Sequence, residues 1–332
     1  RNIVLNYGIL ETKRTKTFDE NGVYVSVANV SEKVKYIKSH RFLAISRAVN
    51  EKELTVKIEV DENYILENIK KYKIPSSAES SKELVFQAYK DGLKRLLLPS
   101  LKREALSELK EKASSDAIIL FGKNLKELLL TPPLVNQVIL GMDPGYVSGC
   151  KLAVIDINGD YLASNVIYPT KPREDFTSSS KIVLELIKKY KINSIAIGNG
   201  TASQETAAFV AKLIEENKLD VKFAIVSEIG ASVYSASKIA IQEYPNLDVT
   251  IRGAISIAQR LRDPMAALVK IDPKSLGIGQ YQHDVNQKEL NIKLENVTVD
   301  LVNKVGVDIN SASYKLLSFI SGISETMSKN II

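Results

Sequence analysis

The chain has 332 residues, a length typical of two or three domains that each bury a core of their own. Hydrophobic residues make up 45% of the chain and charged residues 25%, which excludes a disordered chain and a fibrous repeat. One cysteine and two histidines exclude an internal disulfide, a multi-cysteine zinc site and a histidine-rich metal centre. No apolar run approaches the ~20 residues that cross a bilayer, and the first residues do not resemble a signal peptide, so the sequence predicts a cytoplasmic protein without a membrane partner.

The net charge of +6 is unevenly distributed. Residues 1–136 hold 24 basic and 18 acidic side chains, whereas residues 137–268 hold 14 of each kind and residues 269–332 hold seven of each. A nucleic-acid-binding face and a lysine-rich solvated surface explain this surplus equally well. Within the basic segment, Lys38, His40 and Arg41 form a loop that could contact phosphate, although a surface histidine is the default interpretation.

The first part of the chain combines turn signals with one strand pattern. Residues 19–22 read Asp-Glu-Asn-Gly, a turn sequence, and the alternation over residues 54–60 predicts a strand. Over residues 80–130 apolar side chains recur at three- and four-residue steps, which predicts helices. The sequence Thr-Pro-Pro at residues 131–133 ends them, because proline has no amide hydrogen to donate. We therefore place a mainly helical first domain at residues 1–134.

After this boundary the pattern changes to alternating strands and helices. Strands are predicted at residues 138–142, 151–157, 161–168, 194–198 and 222–226, and helices at about 178–190 and 204–216. Two hairpin-linked strands followed by strand–helix–strand units form a mixed sheet with helices on its faces. From Pro273 onward the periodicity is helical, with breaks at Gly306 and Gly322. The predicted fold class is α/β plus all-α, with the mixed sheet at residues 135–268 and a helical region at 269–332.

Three acidic residues stand at strand ends or at a helix start. Asp143 follows the first predicted strand of the sheet, Glu228 follows the last, and Asp263 opens the sequence Asp-Pro-Met-Ala-Ala. Such carboxylates can converge at one edge of a sheet and hold one or two Mg²⁺ ions for phosphodiester hydrolysis. Each also has a structural explanation, since Asp143 opens a turn, Asp263 can cap a helix before Pro264, and Glu228 can simply be exposed. Mg²⁺ is the only cofactor that the sequence suggests.

Several long motifs resemble the family of the bacterial transcription accessory protein Tex. The motifs lie at residues 138–151, 197–203, 227–237, 252–258 and 269–287, with two more upstream at 39–44 and 99–104. This resemblance covers almost the whole chain. It implies helical modules first, then a YqgF domain of the RNase H-like fold, then tandem helix-hairpin-helix elements. The family also has an S1 RNA-binding barrel, which we do not find here, so we expect the chain to be a piece of a longer protein.

The resemblance also suggests roles for the three acids. In catalytic relatives of the YqgF class, acids occur on the first strand, after a later strand and on the last helix, where Asp143, Glu228 and Asp263 fall. They are therefore the candidate catalytic and Mg²⁺-binding residues. Tex-type proteins are regarded as binding factors, and Pro264 makes Asp263 resemble a cap aimed at its own helix. We accordingly expect a non-catalytic domain, and we expect Lys151, close behind Asp143, to be a solvated lysine.

Two glycine hairpins fit the helix-hairpin-helix motif, in which backbone amides at a helix start contact a phosphate and no base is read. The first is centred on Gly306 and runs through Asn310 and Ser311; Asp308 would repel a phosphate there, which favours a packing role. The second is centred on Gly322 and is the predicted phosphate contact, with a purely structural hairpin as the alternative. The candidate nucleic-acid-binding residues are Gly306, Ser321, Gly322, Ile323, Ser324 and Lys329.

The sequence thus predicts a monomeric factor that binds DNA or RNA through the phosphate backbone, has little sequence specificity and acts with the transcription machinery. The alternative is a Mg²⁺-dependent RNase H-like nuclease that uses Asp143, Glu228 and Asp263. A third interpretation is a pure protein-interaction platform, in which the affinity for nucleic acid would reside in the S1 barrel that we do not find here.

Overall fold

A computed structural model describes residues 1–73, 81–309 and 312–332. The predicted helix start at Ser80, and Asn310 and Ser311 of the first glycine hairpin, lie outside the described residues. In the described ranges, no helix is both long enough and apolar enough to span a membrane.

The chain divides into two compact units. The first comprises Arg1–Leu120 and Tyr281–Leu290, and the second comprises Phe121–Gln280 and Asn291–Ile332. Each unit therefore contains residues from two separate parts of the sequence.

The first unit combines a small antiparallel sheet with helices. Its strands are β1 (Ile9–Arg14), β2 (Ser31–Lys33) and β3 (Leu54–Glu59), in the order β2-β1-β3. Its helices are α1 (Asn2–Tyr7), α2 (Ser39–Asn50), α3 (Glu62–Lys73), α4 (Lys82–Gly92) and most of α5 (Leu98–Leu129), with 3₁₀ turns at Val25–Val27 and Val34–Tyr36 and a π-helical turn at Leu93–Leu97. The predicted strand at 54–60 is confirmed as β3. β1 and β2 were not predicted, because β2 has three residues and both strands are rich in charged side chains.

The segment Tyr281–Leu290 packs as part of this first unit. Arg47 in α2 donates from Nε to Asp284 Oδ2 over 2.8 Å, and its guanidinium lies 4.7 Å from the centroid of the Tyr281 ring. The Asn286 amide donates to Ser114 Oγ in α5 over 3.1 Å. These contacts place part of the predicted 269–332 region within the first unit.

The second unit is built on a five-stranded mixed sheet. Its strands are β4 (Ile139–Asp143), β5 (Cys150–Ile155), β6 (Tyr161–Ile167), β7 (Ser194–Gly198) and β8 (Lys222–Val226), in the order β6-β5-β4-β7-β8. β4, β7 and β8 are parallel, and β5 runs antiparallel to both β4 and β6. β7 and β8 have the predicted bounds, and the ends of the other three lie within two residues of the prediction. The predicted mixed sheet is confirmed.

Three helices cover the two faces of this sheet: α6 (Phe176–Tyr190), α7 (Ser203–Asn217) and α10 (Val249–Arg262). Other helices in this part of the chain are α8 (Ala231–Ser235), α9 (Lys238–Glu243), α11 (Pro264–Leu268), α12 (Gln287–Val305), which begins in the first unit, α13 (Tyr314–Leu317) and α14 (Glu325–Ile331). α6 and α7 bury Val183 and Phe209 against one face, and α10 buries Ala254 and Ala258 against the other. Because the central strands are covered on both sides, they read as continuous apolar runs.

Candidate functional site

Asp143 and Glu228 lie together at the edge formed by the carboxyl ends of the parallel strands. Asp143 ends β4, and Glu228 comes two residues after β8. The Glu228 carboxylate packs against the backbone at the end of β7 and directly after it. A methyl group added at Gly200 would lie 1.9 Å from Glu228 Oε1, and one added at Gly198 would lie 2.9 Å from Glu228 Oε2. Glycine at these two positions leaves the space that the carboxylate occupies.

The electrostatics of Asp143 reflect this placement. Burial raises the pKa of Asp143 to about 6, the nearby Glu228 carboxylate adds to the rise, and Lys151 opposes it. Burial favours the neutral form of an acid, and a second carboxylate does the same by repulsion. The two predicted acids therefore influence each other directly.

Lys151 is buried beside this pair, so the prediction of a solvated lysine is wrong. It lies opposite Asp143 in the antiparallel register of β4 and β5, and only 8% of it is exposed. Its Nζ donates to the carbonyl oxygens of Ser148, at 2.5 Å, and Gly149, at 2.9 Å. Burial lowers the pKa of Lys151, and Asp143 opposes that shift. The strand register brings this lysine inward, which its place in the sequence did not reveal.

Arg260 in α10 is a second buried cation at this edge, and it was not predicted from the sequence. It is 6% exposed, and its guanidinium donates through one terminal nitrogen to the Ser227 carbonyl over 2.6 Å. Nε and the other terminal nitrogen have no partner among the described residues. Burial lowers the pKa of Arg260 to about 10, and Glu228 opposes the shift. The sequence feature that could have indicated a buried arginine is the position of Arg260 between the apolar residues Ile257 and Leu261.

These four side chains together balance their charges. Asp143 and Glu228 contribute two carboxylates, and Lys151 and Arg260 contribute two cations that interact electrostatically with them. A compensated cluster of this kind attracts a divalent cation less strongly than bare carboxylates do.

The structure does not bring Asp263 to this edge. Gly253 is the residue of α10 that faces Asp143, because a methyl group added there would lie 3.0 Å from Asp143 Oδ2. Asp263 comes ten residues after Gly253, which is about 15 Å further along the helix at roughly 1.5 Å per residue. Its Oδ1 accepts a 2.9 Å bond from the Ala266 amide, and Pro264 opens α11, so Asp263 caps that helix. Across the described ranges, no group of three or more His, Cys, Asp or Glu side chains could share a metal ion.

Both glycine hairpins have the backbone conformation that favours glycine. Gly306 follows α12 with φ +82°, and Gly322 precedes α14 with φ +90°. A side chain at either position would meet no atom within 4 Å, so the requirement for glycine is conformational rather than steric. Asn303 fixes the second hairpin: Oδ1 accepts from the Ser321 amide over 2.9 Å, and Nδ2 donates to the Phe319 carbonyl over 2.9 Å.

The second hairpin leaves backbone donors at the start of α14. Ser324 is the N-cap, and its Oγ accepts from the Met327 amide over 3.2 Å. In the part of the chain that the structure describes, the amides of Gly322 and Ser324 have no protein acceptor. Lys329 pairs with Glu325 over 2.7 Å, which holds its ammonium group on the surface of α14. Ile323 donates to the Ile320 carbonyl over 3.1 Å and closes the turn.

Three family descriptions match the chain in sequence order. They are "Tex central region-like" at residues 1–121, "Tex protein YqgF-like domain" at 137–262 and "Helix-hairpin-helix motif" at 302–332. The second match coincides with the sheet domain, and the third contains both glycine hairpins.

Several curated proteins are similar over much of the chain. "Protein tex" of Bordetella pertussis is 49% identical over 237 residues, which cover 71% of this chain and 30% of that protein. "Transcriptional accessory protein Tex" of Neisseria gonorrhoeae is 43% identical over 313 residues, covering 91% of this chain and 40% of that protein. "S1 RNA-binding domain-containing protein 1" of Homo sapiens is 40% identical over 309 residues, which cover 90% of this chain and 31% of that protein. The chain spans less than half the length of these relatives. Together, the ordered domain matches and the identities show that the chain belongs to the Tex family.

Proposed function

We propose that this chain binds nucleic acid through the phosphate backbone, with little sequence specificity and without cleaving it. The Gly322 hairpin is the observation that carries this proposal, because it leaves two backbone donors at a helix start. The names of two relatives associate them with transcription and with RNA binding, which supports a role beside the transcription machinery. We further propose that the protein acts as a monomer in the cytoplasm.

The proposed contact uses the backbone rather than base-reading side chains. The amides of Gly322 and Ser324 donate to phosphate oxygens, and Asn303 keeps the turn in place by holding Ser321. Such a contact positions a backbone and carries no sequence information. Lys329 adds positive charge one turn further on, partly offset by its partner Glu325. At the first hairpin the carboxylate of Asp308 opposes a phosphate, so we assign this hairpin a structural role, in which Gly306 permits the turn.

The proposal that the domain does not cleave its ligand rests on the carboxylates. Two-metal hydrolysis of a phosphodiester places two cations about 4 Å apart, and these need shared carboxylate ligands. Asp143 and Glu228 supply carboxylates for one cation, whereas Asp263 is engaged in capping α11. Lys151 and Arg260 already compensate the pair. A Mg²⁺-dependent nuclease remains the second candidate, favoured by the proximity of Asp143 to Glu228.

Replacing Gly322 with valine is expected to weaken binding to a short DNA duplex about tenfold in low salt, which corresponds to the loss of about one charge-assisted hydrogen bond. A β-branched residue does not adopt φ +90° readily, so the amides turn away from the phosphate. The measurement is fluorescence anisotropy of a labelled duplex, with circular dichroism to confirm folding.

Gly306→Val is the matched control, because Gly306 has the same φ region and equally open surroundings. We expect it to bind the duplex like the parent chain. Equal binding by both variants and the parent, or equal losses in both variants, would contradict the assignment to Gly322.

A further inference from the structure

The basic surplus of the chain is concentrated in its first 50 residues. These hold nine basic and four acidic side chains, whereas residues 51–136 hold 15 and 14. Residues 31–41 alone contain four basic side chains and one acidic side chain, a difference of three, which is half of the net charge of +6. A charge surplus this local marks a specific surface rather than a generally basic domain.

The local backbone geometry explains why Lys35 and Tyr36 face solvent. A 3₁₀ turn at Val34–Tyr36 repeats every three residues, so Val34 and Ile37 share its inner face, and both are buried. Lys35 and Tyr36 then point outward, and Tyr36 is 58% exposed. An exposed tyrosine between lysines contributes little to the core.

The surrounding cations are largely uncompensated. Lys33, Lys35 and Lys38 are exposed, and none of them forms an ion pair within the described residues. Arg41 pairs with Glu32 over 2.7 Å, and the pair remains at the surface. Ser39 donates a 2.6 Å bond to the carboxylate of Asp116.

Two aromatic rings are available on this surface. Lys35 Nζ lies 4.8 Å from the centroid of the Tyr36 ring, an arrangement that orients the ring while most of it stays open to solvent. Tyr7, 67% exposed, ends α1 directly before Gly8. The Gly8 carbonyl accepts a 2.9 Å bond from the Val34 amide, which ties α1 to the 3₁₀ turn.

We propose that Lys33, Lys35, Tyr36, Lys38 and Arg41, here named the Tyr36 surface, bind single-stranded nucleic acid. A base stacks on Tyr36, and the flanking cations contact the phosphates on either side. Aromatic rings set in a basic surface bind unpaired bases in this way with little sequence preference. The inference rests on the proposed nucleic-acid-binding function and deepens it, since it assigns unpaired strands to the first unit, whereas the Gly322 hairpin of the second unit contacts backbone phosphates only.

A tryptophan substitution provides a direct test, because the chain contains no tryptophan. Tyr36→Trp introduces a single reporter at the proposed stacking position, and Tyr64→Trp places the same reporter at another exposed tyrosine, in α3. We expect a 12-nucleotide single strand of RNA or DNA to quench the emission of Tyr36→Trp and to leave that of Tyr64→Trp unchanged. RNA and DNA are titrated separately to distinguish the two sources of the same chemistry.

Two further variants separate stacking from charge. Tyr36→Ala is expected to weaken single-strand binding about tenfold and duplex binding by less than twofold, since paired bases are not available for stacking. Lys35→Gln with Lys38→Gln is expected to reduce the salt dependence, the slope of log K against log salt, by about 1.4 for single strands, because each lost phosphate contact removes roughly 0.7. Lys188→Gln with Lys189→Gln, two exposed lysines of α6, is the charge control and should leave the slope unchanged.

The outcomes separate this inference from the proposed function. If the parent chain binds neither single strands nor duplex at low salt, the proposed function fails and the inference fails with it. If the parent chain binds single strands but Tyr36→Trp is not quenched and Tyr36→Ala binds as tightly, the Tyr36 surface is not the site, while the proposed function stands. Quenching at position 36 alone, with the selective loss in Tyr36→Ala, is the result that the inference requires.

Discussion

Gly141→Ala is expected to lower the free energy of unfolding of the second unit by about 3 kcal/mol, at the upper end of overpacking effects. Gly141 lies in β4 directly beneath α10. An added methyl group would lie 2.2 Å from the Ala254 carbonyl oxygen and 2.9 Å from the Ala258 Cβ. The first contact is with backbone, so α10 must move away from the sheet. The measurement is urea denaturation followed by circular dichroism.

Gly92→Ala is the matched control for this substitution. Gly92 ends α4 with helical φ and ψ, and a methyl group there would meet no atom within 4 Å. Alanine at such a position should leave stability unchanged or raise it by up to about 1 kcal/mol. If Gly141→Ala is as stable as the parent, the close packing of α10 on β4 is not as described.

Asp143→Asn is expected to stabilise the protein at pH 8 by about 2 kcal/mol. Burial and Glu228 raise the pKa of Asp143 from 3.8 to about 6. At roughly 1.4 kcal/mol per pKa unit the full shift corresponds to about 3 kcal/mol, and we reduce that figure because the site is partly exposed to solvent. Asparagine preserves the shape and removes the charge.

The pH dependence of this effect follows from the raised pKa. Folding disfavours the charged form of Asp143, so the parent is destabilised above about pH 6, and this penalty disappears as the pH falls toward 3.8. The advantage of Asp143→Asn should therefore shrink to less than about 1 kcal/mol at pH 4. Urea denaturation at both pH values, with a chelator present, measures it.

Asp220→Asn serves as the control for the charge change, because Asp220 is exposed between α7 and β8. We expect its stability to equal that of the parent at both pH values. An Asp143→Asn variant that is no more stable than the parent at pH 8 would show that the Asp143 carboxylate is not disfavoured at this edge.

The strands of the second unit were predictable because their signals are local. β7 and β8 are short apolar runs between turn sequences, and such runs need no knowledge of the rest of the chain. Asp143 and Glu228 were predictable as neighbours for a related reason, since parallel strands end at one edge of a sheet. β1 and β2 carry weak patterns, and β1 pairs with β2 about 20 residues later and with β3 about 45 residues later.

The rest of the site depends on distances that the sequence does not encode locally. Asp263 has the right residue type after the right helix, but α10 carries it to the end of the helix far from Gly253, which faces Asp143. Lys151 and Arg260 become buried only because β5 and α10 pack against β4. Their compensation of the two carboxylates is therefore a tertiary property.

The division of the chain into two units also could not be predicted from local sequence patterns. Residues 281–290 are followed by helices of the second unit, and the helical pattern alone groups them together. Their placement in the first unit depends on Arg47, more than 200 residues earlier, which contacts both Tyr281 and Asp284. The charge count over residues 1–136 located the basic surplus only broadly, whereas the structure shows that Lys33, Lys35 and Lys38 are exposed beside Tyr36.

The central claim, binding without cleavage, is tested most directly by one measurement on end-labelled single-stranded RNA and duplex DNA. The chain is incubated with each at two salt concentrations, with and without Mg²⁺, and the bound fraction and the fraction of intact strand are determined. We predict binding that weakens steeply with salt and strands that stay intact with Mg²⁺. Mg²⁺-dependent cleavage that disappears in Asp143→Asn, or no binding at low salt, would contradict the account.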